Sequence, residues 1–362
     1  MKYLMMTFGF VAGSVFPAQA QTFGVEYITE MQYSPTSRKA NWCNLIRTNL
    51  SLPIGNNGEF DAATIHIYKA RQQRVVDDRL TFSNIEEQNN PFAIALLGYT
   101  QKIGSSALFL GVRNMNEDYF TSPVTSLFTN SSCGIYPTLS TNYPIANYPL
   151  SALCLDYKGR FGSWEIEGSL YNGVGHNGWS RRDNPFRFNC NQDGVFGITQ
   201  INYQTNDGMY FCGASVHSSL FLRDENTMAQ PSEATTSENG QEVGVTWWSY
   251  AEQRLWAGAG HEINLLAQYS QNSSVDNYCK RYAGLGVTWG CRDGKQRWHD
   301  AGVVFSVAQF GGTYEATAEM TYRYQFSPNG FLQPAVHLIK NNTGFHSVCM
   351  LRIKYVIDWR LK

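Results

Sequence analysis

Charged side chains recur at every second residue in several stretches of the chain. In residues 313–326 the odd positions include Glu315, Glu319 and Arg323, whereas the even positions are mostly apolar and include Met320. Period two over this length indicates a single extended strand with a charged face and an apolar face. Arginine donates hydrogen bonds from a fixed fork and carboxylates accept them, so the charged face is suited to contact water and polar solutes.

The same alternation recurs in residues 63–68, 152–161, 164–171 and 351–361. A soluble β-sandwich would also alternate in this way, with its polar face in water. Two features favour a transmembrane barrel: tyrosine and tryptophan lie near the strand ends of the apolar faces, and both signs of charge share one polar face. Short turns such as residues 327–330 alternate with long connections, which is typical of outer-membrane barrels. The sequence therefore predicts an all-β fold, a transmembrane antiparallel β-barrel.

The length of the chain sets the expected number of strands. The first 20 residues combine Lys2, an apolar run and the small-residue site at Ala18 and Ala20, which predicts a signal peptide cleaved after Ala20. The remaining residues 21–362 form one predicted barrel domain, and at ~20 residues per strand and turn they give about sixteen strands. A barrel of that size encloses a water-filled channel. We therefore expect a protein exported to the bacterial outer membrane, in contact with its lipid.

The composition argues against other partners and cofactors. Charged residues make up 16% of the chain and the net charge is -1, which gives no support to a nucleic-acid partner. Eight cysteines in an exported chain suggest either disulfides or buried thiols, and Cys279 and Cys291, which flank one strand-like run, are the first candidate pair. The chain contains neither a CxxC nor an HxxxH spacing, so we expect no metal, and we expect no cofactor.

Two predicted loops differ sharply in character. Residues 119–155 contain no Asp, Glu, Lys or Arg but are rich in tyrosine and proline, which predicts a stiff loop that packs against other parts of the molecule. We expect this loop to fold into the barrel and narrow it; an outer cap or a contact between protomers is the alternative. Residues 224–242 carry five acidic residues and no Lys or Arg, and predict a mobile external loop.

Several separate segments resemble the OprB-type carbohydrate-selective porins. They are residues 110–120 (LGVRNMNEDYF), 128–132 (FTNSS), 148–152 (YPLSA), 282–290 (YAGLGVTWG), Arg297 with 300–302 (DAG), 322–326 (YRYQF) and 331–334 (FLQP). The resemblance extends from about Phe92 to the end of the chain. It implies a sixteen-stranded barrel that admits monosaccharides and similar small solutes by diffusion through an eyelet lined by charged and aromatic side chains. Ala335 and His337 replace an acid and a glutamine that are usual in the family, which puts the sugar preference in question.

Strand parity and loop position give the candidate residues. Arg113, Glu117 and Asp118 rank first among the lumen residues because they come just before the predicted constriction loop. Aromatic rings in that loop are candidates for stacking on a sugar. The lumen candidates are Arg113, Glu117, Asp118, Asp156, Lys158, Arg160, Glu165, Glu167, Glu315, Glu319, Arg323, His337 and Arg352, and the stacking candidates are Phe128, Tyr136 and Tyr143.

Other functions are compatible with parts of the pattern. A general porin would keep the barrel without sugar preference. A barrel enzyme would require a nucleophile beside a base, but Ser215 and His217 lie ~7 Å apart on one strand and no Gly-x-Ser-x-Gly occurs. A secreted carbohydrate-binding β-protein would dissolve without detergent. The predicted partners are small carbohydrates and membrane lipid, with a homo-oligomer as a possibility.

Overall fold

The computed structural model describes residues 21–218, 221–222, 235–236, 243–274, 277–293 and 296–361. The predicted signal peptide, residues 1–20, and most of the predicted external loop at 224–242 lie outside these residues. The described strands are β1 (Gln21–Ser34), β2 (Lys39–Ile54), β3 (Gly58–Lys69), β4 (Asn90–Ile103), β5 (Ser106–Arg113), β6 (Ala152–Phe161), β7 (Trp164–Asn172), β8 (Val195–Gln204), β9 (Gly208–His217), β10 (Phe221–Leu222), β11 (Thr235–Thr236), β12 (Gly244–Gly258), β13 (His261–Asn272), β14 (Cys279–Asp293), β15 (Gln296–Phe310), β16 (Thr313–Ser327), β17 (Gly330–Asn341) and β18 (Gly344–Leu361).

Sixteen of the strands in the described ranges close into one antiparallel barrel, which confirms the predicted fold class and strand number. Each strand pairs with its neighbours in sequence, except that β9 pairs with β12, and β10 and β11 form a separate two-stranded ladder. The barrel closes where β1 meets β18, with Gln21 opposite Leu361 and Tyr33 opposite Cys349. No helix among the described residues is long and apolar enough to cross a membrane.

The barrel is apolar outside and polar inside, as the alternation predicts. On β16, Met320 is 62% exposed and Tyr314 is 63% exposed, whereas Glu315 and Glu319 are buried. Because successive side chains of a strand point to opposite faces, a residue's parity decides whether it faces lipid or the interior. The predicted orientation of this strand is therefore confirmed.

The two rims of the barrel differ. One rim carries tight turns, such as Gly104–Ser105 and Gly162–Ser163, in which Gly104 and Gly162 adopt φ values of +61° and +63° that favour glycine. The other rim carries long connections at residues 70–89, 114–151 and 173–194, here called the first inner loop, the second inner loop and the outer loop. In outer-membrane barrels the longer connections are on the external side.

The second inner loop lies inside the barrel. It contains three 3₁₀ turns (Met115–Glu117, Thr125–Leu127 and Ser131–Cys133) and the short helix Pro137–Ser140. The outer loop, by contrast, ends in the short helix Cys190–Asp193. Polar groups of the second inner loop bond to inward-facing side chains around the wall: Ser122 donates to Glu252 at 2.6 Å and Thr138 donates to Ser270 at 2.7 Å. The uncharged, tyrosine-rich stretch thus folds inward as expected, because its buried rings need an apolar surface and its backbone needs polar partners.

The first inner loop also enters the barrel, which the sequence did not indicate. Val75, Val76 and Phe82 are buried against Ile339 and Val348 of the wall. The two inner loops are joined directly, since the Asn84 N–H donates to the Thr129 carbonyl at 2.8 Å. The lumen therefore contains a two-loop insert, and the predicted single constriction loop is only one part of it.

Candidate functional site in the barrel lumen

A cavity of about 430 Å³ lies between the inner loops and the wall formed by β1 to β4. Polar side chains and aromatic rings share its surface. Its lining includes Glu26, Arg47, Asn84, Asn114, Asn116, Glu117, Tyr119, Phe120, Ser122, Phe128, Asn130, Asn147 and Tyr148. A mixed lining of this kind offers hydrogen-bond donors, acceptors and flat apolar surfaces to a small solute.

Arg47 and Glu117 form a two-point ion pair at the edge of this cavity. Arg47 Nη1 and Nη2 donate to the two Glu117 carboxylate oxygens at 2.6 and 2.9 Å, and Nε donates to Asn49 at 2.7 Å. Glu117 belongs to the second inner loop and Arg47 to β2, so the pair joins the loop to the wall. Each side chain keeps 22% exposure, so both remain accessible to a solute in the cavity.

A second charged group lies next to this pair along β5, β6 and β7. Lys158 lies 3.2 Å from Asp118 and 3.1 Å from Glu167, while Arg113 contacts Asp118 and lies 3.3 Å from Asp156. Ligand oxygens of the three carboxylates lie within 4.8 Å of one another. Because Arg113 and Lys158 are interleaved with them, the cluster is an ion-pair network. All five residues were among the predicted lumen residues, Arg113 and Asp118 from their position just before the predicted constriction loop and the other three from strand parity.

Glu315 and Glu319 serve a different purpose from the one predicted. Glu319 accepts hydrogen bonds from the Thr129 and Asn130 N–H groups at 2.8 and 2.9 Å. Glu315 accepts from the N–H groups of Arg79 and Leu80 at 2.9 and 2.8 Å. Both carboxylates are inward-facing but covered by the inner loops, so the expectation that they line an open path is wrong. They anchor the loops.

Arg352 and His337 are likewise covered by the inner loops. Arg352 Nε donates to Glu30 at 2.6 Å and its Nη2 donates to Asn84 at 2.6 Å. Glu30 also accepts from Ser83 at 2.6 Å. His337 is fully buried, with Nε2 3.1 Å from the Thr129 hydroxyl. Both residues face the interior as parity predicted, but they hold the loops in place.

Glu86 is a buried acid of the first inner loop with only distant cation partners. It is buried, neither carboxylate oxygen has a hydrogen-bond partner in the described structure, and its nearest cations are Arg74 at 3.8 Å and Lys69 at 4.0 Å. Burial is the main cause that raises the pKa of Glu86 above its ordinary value, with Asp78 and Glu30 adding to the rise and the two cations opposing it.

The predicted stacking rings pack within the protein. Tyr136 is fully buried, with its ring centroid 5.3 Å from that of Phe120, and Tyr143 stacks on His217 at 5.3 Å. Phe128 borders the cavity but is 2% exposed, because it packs over Gly302 of β15. A Cβ at Gly302 would come within 2.9 Å of the Phe128 ring, so the glycine of the DAG segment allows the loop to approach the wall. The stacking prediction is wrong for Tyr136 and Tyr143, since a buried ring presents no face to a solute.

The remaining lumen candidates lie toward the rim with tight turns. Arg160 pairs with Glu165 at 2.7 Å beside the Gly162–Ser163 turn, and the Arg160 side chain is 71% exposed. Arg323 pairs with Asp300 at 2.7 Å. These pairs line the interior outside the cavity.

The proposed Cys279–Cys291 disulfide is incompatible with the structure. Both residues belong to β14, and twelve residues of extended chain at ~3.3 Å each separate their Cα atoms by about 40 Å. A disulfide requires Cα atoms within ~7 Å. All eight cysteines carry free thiols, and Cys43, Cys133, Cys154 and Cys279 are buried. The two cysteines were paired because they flank one strand-like segment, but that segment is extended and holds Cys279 and Cys291 far apart.

Several cavity residues were missed by sequence reasoning. Arg47 and Glu26 lie on the inward parity of β2 and β1, so the alternation used elsewhere would have found them had it been extended to the first strands. Tyr119, Phe120 and Tyr148 come from the second inner loop, where no period exists to indicate that Tyr148 stays partly exposed while Tyr119 and Phe120 are buried. Their position depends on the loop's fold.

The comparisons with known proteins agree with this architecture. The family model described as carbohydrate-selective porin, OprB family, matches residues 56–308. A low-pH structure of OprB from Pseudomonas putida aligns with a TM-score of 0.59 at 12% identity, covering 93% of each chain. An anion-selective porin from Comamonas acidovorans aligns with a TM-score of 0.58 at 9% identity, covering 94% of this chain and 99% of that one. A search of curated proteins gives no match.

The barrel, its polar interior and the loop-lined cavity define the class of outer-membrane porins. Since the family model spans more than half of the chain, the protein belongs to the carbohydrate-selective porin family OprB. The resemblance seen in the sequence motifs is thereby confirmed.

Proposed function

We propose that small neutral sugars cross the outer membrane through the cavity between the inner loops and β1 to β4, with Arg47 and Glu117 as the main polar contacts. The supporting observation is the cavity itself, in which an accessible arginine–carboxylate pair and the partly exposed ring of Tyr148 share one surface. A pyranose has hydroxyl groups at its edge and C–H groups on its faces, so it needs both kinds of contact.

Paired charges suit a neutral solute. Arg47 and Glu117 neutralise each other, so the field between them orients hydroxyl dipoles without retaining an ion. Lys158, Asp118 and Glu167 extend the same arrangement along the wall. Binding in the cavity must be weak, because a solute that enters a channel must also leave it.

The proposal is tested by single-channel conductance in a planar bilayer, with glucose and then a larger oligosaccharide added. We expect stepwise openings that glucose reduces saturably. Arg47→Gln should weaken this block. Lys102→Gln should leave the block unchanged, because it removes an equal charge from an exposed pair with Glu59 near the rim with tight turns. Equal weakening by both variants would indicate a general effect of charge.

Alternative functions give different outcomes in the same experiment. Openings indifferent to sugar would indicate a general porin, and absence of openings from heat-modifiable, folded protein would favour a binding protein or an enzyme. Two contacts of His217 argue against an enzyme. Its Nε2 donates to the Gly173 carbonyl at 2.8 Å and its ring stacks on Tyr143, so that nitrogen is not free to act as a base for Ser215.

Export and assembly complete the proposal. Residues 1–20 would direct secretion, and residues 21–362 would form the mature barrel, which N-terminal sequencing of the outer-membrane protein can test.

A homo-oligomer is supported by the trimer form of OmpT from Vibrio cholerae, which aligns with a TM-score of 0.57 at 8% identity, covering 94% of this chain and all of that one. Its existence here can be measured by light scattering in detergent.

A further inference from the structure

The outer loop carries an exposed group of aromatic and arginine side chains that the sugar path does not use. Trp179, Phe186 and Phe188 are 61%, 48% and 64% exposed, and Arg181 and Arg182 are exposed between them. A soluble surface rarely leaves three large rings exposed so close together in sequence. The three rings therefore need an apolar partner, and the two arginines between them need a polar or anionic partner close by.

The position of the loop supplies the apolar neighbour. Trp179 Nε1 donates to the Phe92 carbonyl at 3.1 Å, and its ring lies 5.3 Å from the Phe92 ring, which is 40% exposed on the outward side of β4. The outer loop thus reaches around to the lipid-facing surface. The strands from β5 to β9 have only 8 to 10 residues, against 12 to 18 for the other barrel strands, so the loop extends the wall where it is shortest.

The turn of the outer loop holds two cations side by side. The Ser180 N–H donates to the Asp183 carbonyl at 2.9 Å, and the Asp183 N–H donates to the Ser180 hydroxyl at 3.0 Å, which fixes Arg181 and Arg182 at the tip. The nearby charges are already compensated. Asp183 lies 3.0 Å from His176, and Arg187 lies 3.0 Å from Asp193.

Arg181 and Arg182 lack such compensation. In the part of the chain that the structure describes, no ion pair involves either guanidinium. Arginine binds phosphate through two parallel N–H bonds, and aromatic rings are favoured at the depth of lipid headgroups. The outer loop therefore offers rings beside the lipid-facing wall and unpaired arginines at the rim with long connections. One ligand with both an apolar part and a phosphate would satisfy both.

We propose that Trp179, Arg181, Arg182, Phe186 and Phe188 form a binding site for a phosphorylated lipid of the outer leaflet. The arginines hold the headgroup phosphate and the rings contact the upper part of the acyl chains. The site anchors the outer loop at the membrane surface and is independent of the sugar path.

The test compares the full-length protein with two double variants of equal charge. Arg181→Gln/Arg182→Gln removes the proposed contacts, and Arg38→Gln/Lys39→Gln removes two exposed charges from the turn between β1 and β2 on the same rim. Heat-modifiable migration on gels confirms that each variant is folded. Each protein is titrated in detergent micelles with a diphosphorylated lipid, and retained lipid is counted by native mass spectrometry.

We expect Arg181→Gln/Arg182→Gln to bind the diphosphorylated lipid about thirtyfold more weakly, given the usual contribution of each of the two basic residues at an anionic surface. The control variant should bind as the parent does. Equal affinity in all three proteins would overturn the proposal. Displacement of the lipid by inorganic phosphate at equal concentration would also overturn it, because the site would then recognise a soluble anion.

Discussion

Two regions of the barrel interior use the same residue types for opposite purposes. On the side of β2, Arg47 and the second inner loop's Glu117 form a partly exposed ion pair that borders the cavity. On the side of β16, Glu315 and Glu319 are covered by the inner loops and bond their backbone N–H groups. An inward carboxylate therefore either stays accessible from the cavity or anchors a loop, depending on whether a loop covers it.

The difference follows from hydrogen-bond requirements. The inner loops have little regular structure, so many of their backbone groups find no partner within the loop. A carboxylate accepts several N–H bonds at once, and such charge-assisted bonds are stronger than neutral ones. Glu319 meets this need at Thr129 and Asn130, and Glu315 meets it at Arg79 and Leu80. Anchors and loops thus stabilise each other.

The largest expected effect comes from removing an anchor. Glu319→Ala should release the second inner loop, since each buried N–H left without a partner costs about 1–3 kcal/mol and two are affected. We expect single-channel conductance to rise and sugar block to be lost, while the barrel remains folded. Unchanged conductance, together with protection of the loop from protease, would show that Glu319 is not an anchor.

The neighbouring residue on the same strand should act on assembly. Met320→Arg places a cation on the lipid-facing side of β16, at a cost of about 2–4 kcal/mol near the bilayer midplane. Refolding yield into vesicles, measured by heat-modifiable migration, should fall. Met320→Leu is the matched control and should refold as the parent does. A normal yield for the arginine variant would place Met320 away from the membrane core.

The accessible pair should affect solute binding without affecting assembly. Arg47→Gln and Glu117→Gln should each weaken glucose block by roughly twofold to tenfold, the range that a net contribution of about 0.5–1.5 kcal/mol from one hydrogen bond gives. The double variant should be little worse than either single variant, because the two residues act as a unit. Fully additive losses would indicate that the two residues contact the sugar independently.

The smallest expected effect is a pH dependence of the first inner loop. The raised pKa of Glu86 means that the docked loop binds a proton more readily than the free loop does. This contribution is present below the ordinary glutamate pKa of about 4.3 and is lost as pH rises through the raised value. Protease cleavage within residues 70–89 should therefore increase with pH over that window. Glu86→Gln should flatten the dependence, and a profile equal to the parent's would assign the titration elsewhere.

Much of the fold could be predicted from the sequence because period two is a local property. Parity placed Glu315, Glu319, Arg323 and Met320 on the correct faces, and length gave sixteen strands. The same local pattern placed Asp156, Lys158 and Glu167 in the interior. It also led to one error, since Cys279 and Cys291 were paired by their nearness in sequence although an extended strand keeps its ends apart.

The sequence by itself determined that the wall of this protein is a barrel with a charged interior and an apolar exterior, because the alternation of polar and apolar residues within each strand defines its two faces. Only the tertiary structure decided which interior charges stay accessible from the cavity and which are covered by a loop. That choice depends on where residues 70–89 and 114–151 settle, and loops have no period to reveal it. The contact between Asn84 and Thr129 and the cover over Glu319 join residues far apart in the chain, so they exist only once the barrel has closed.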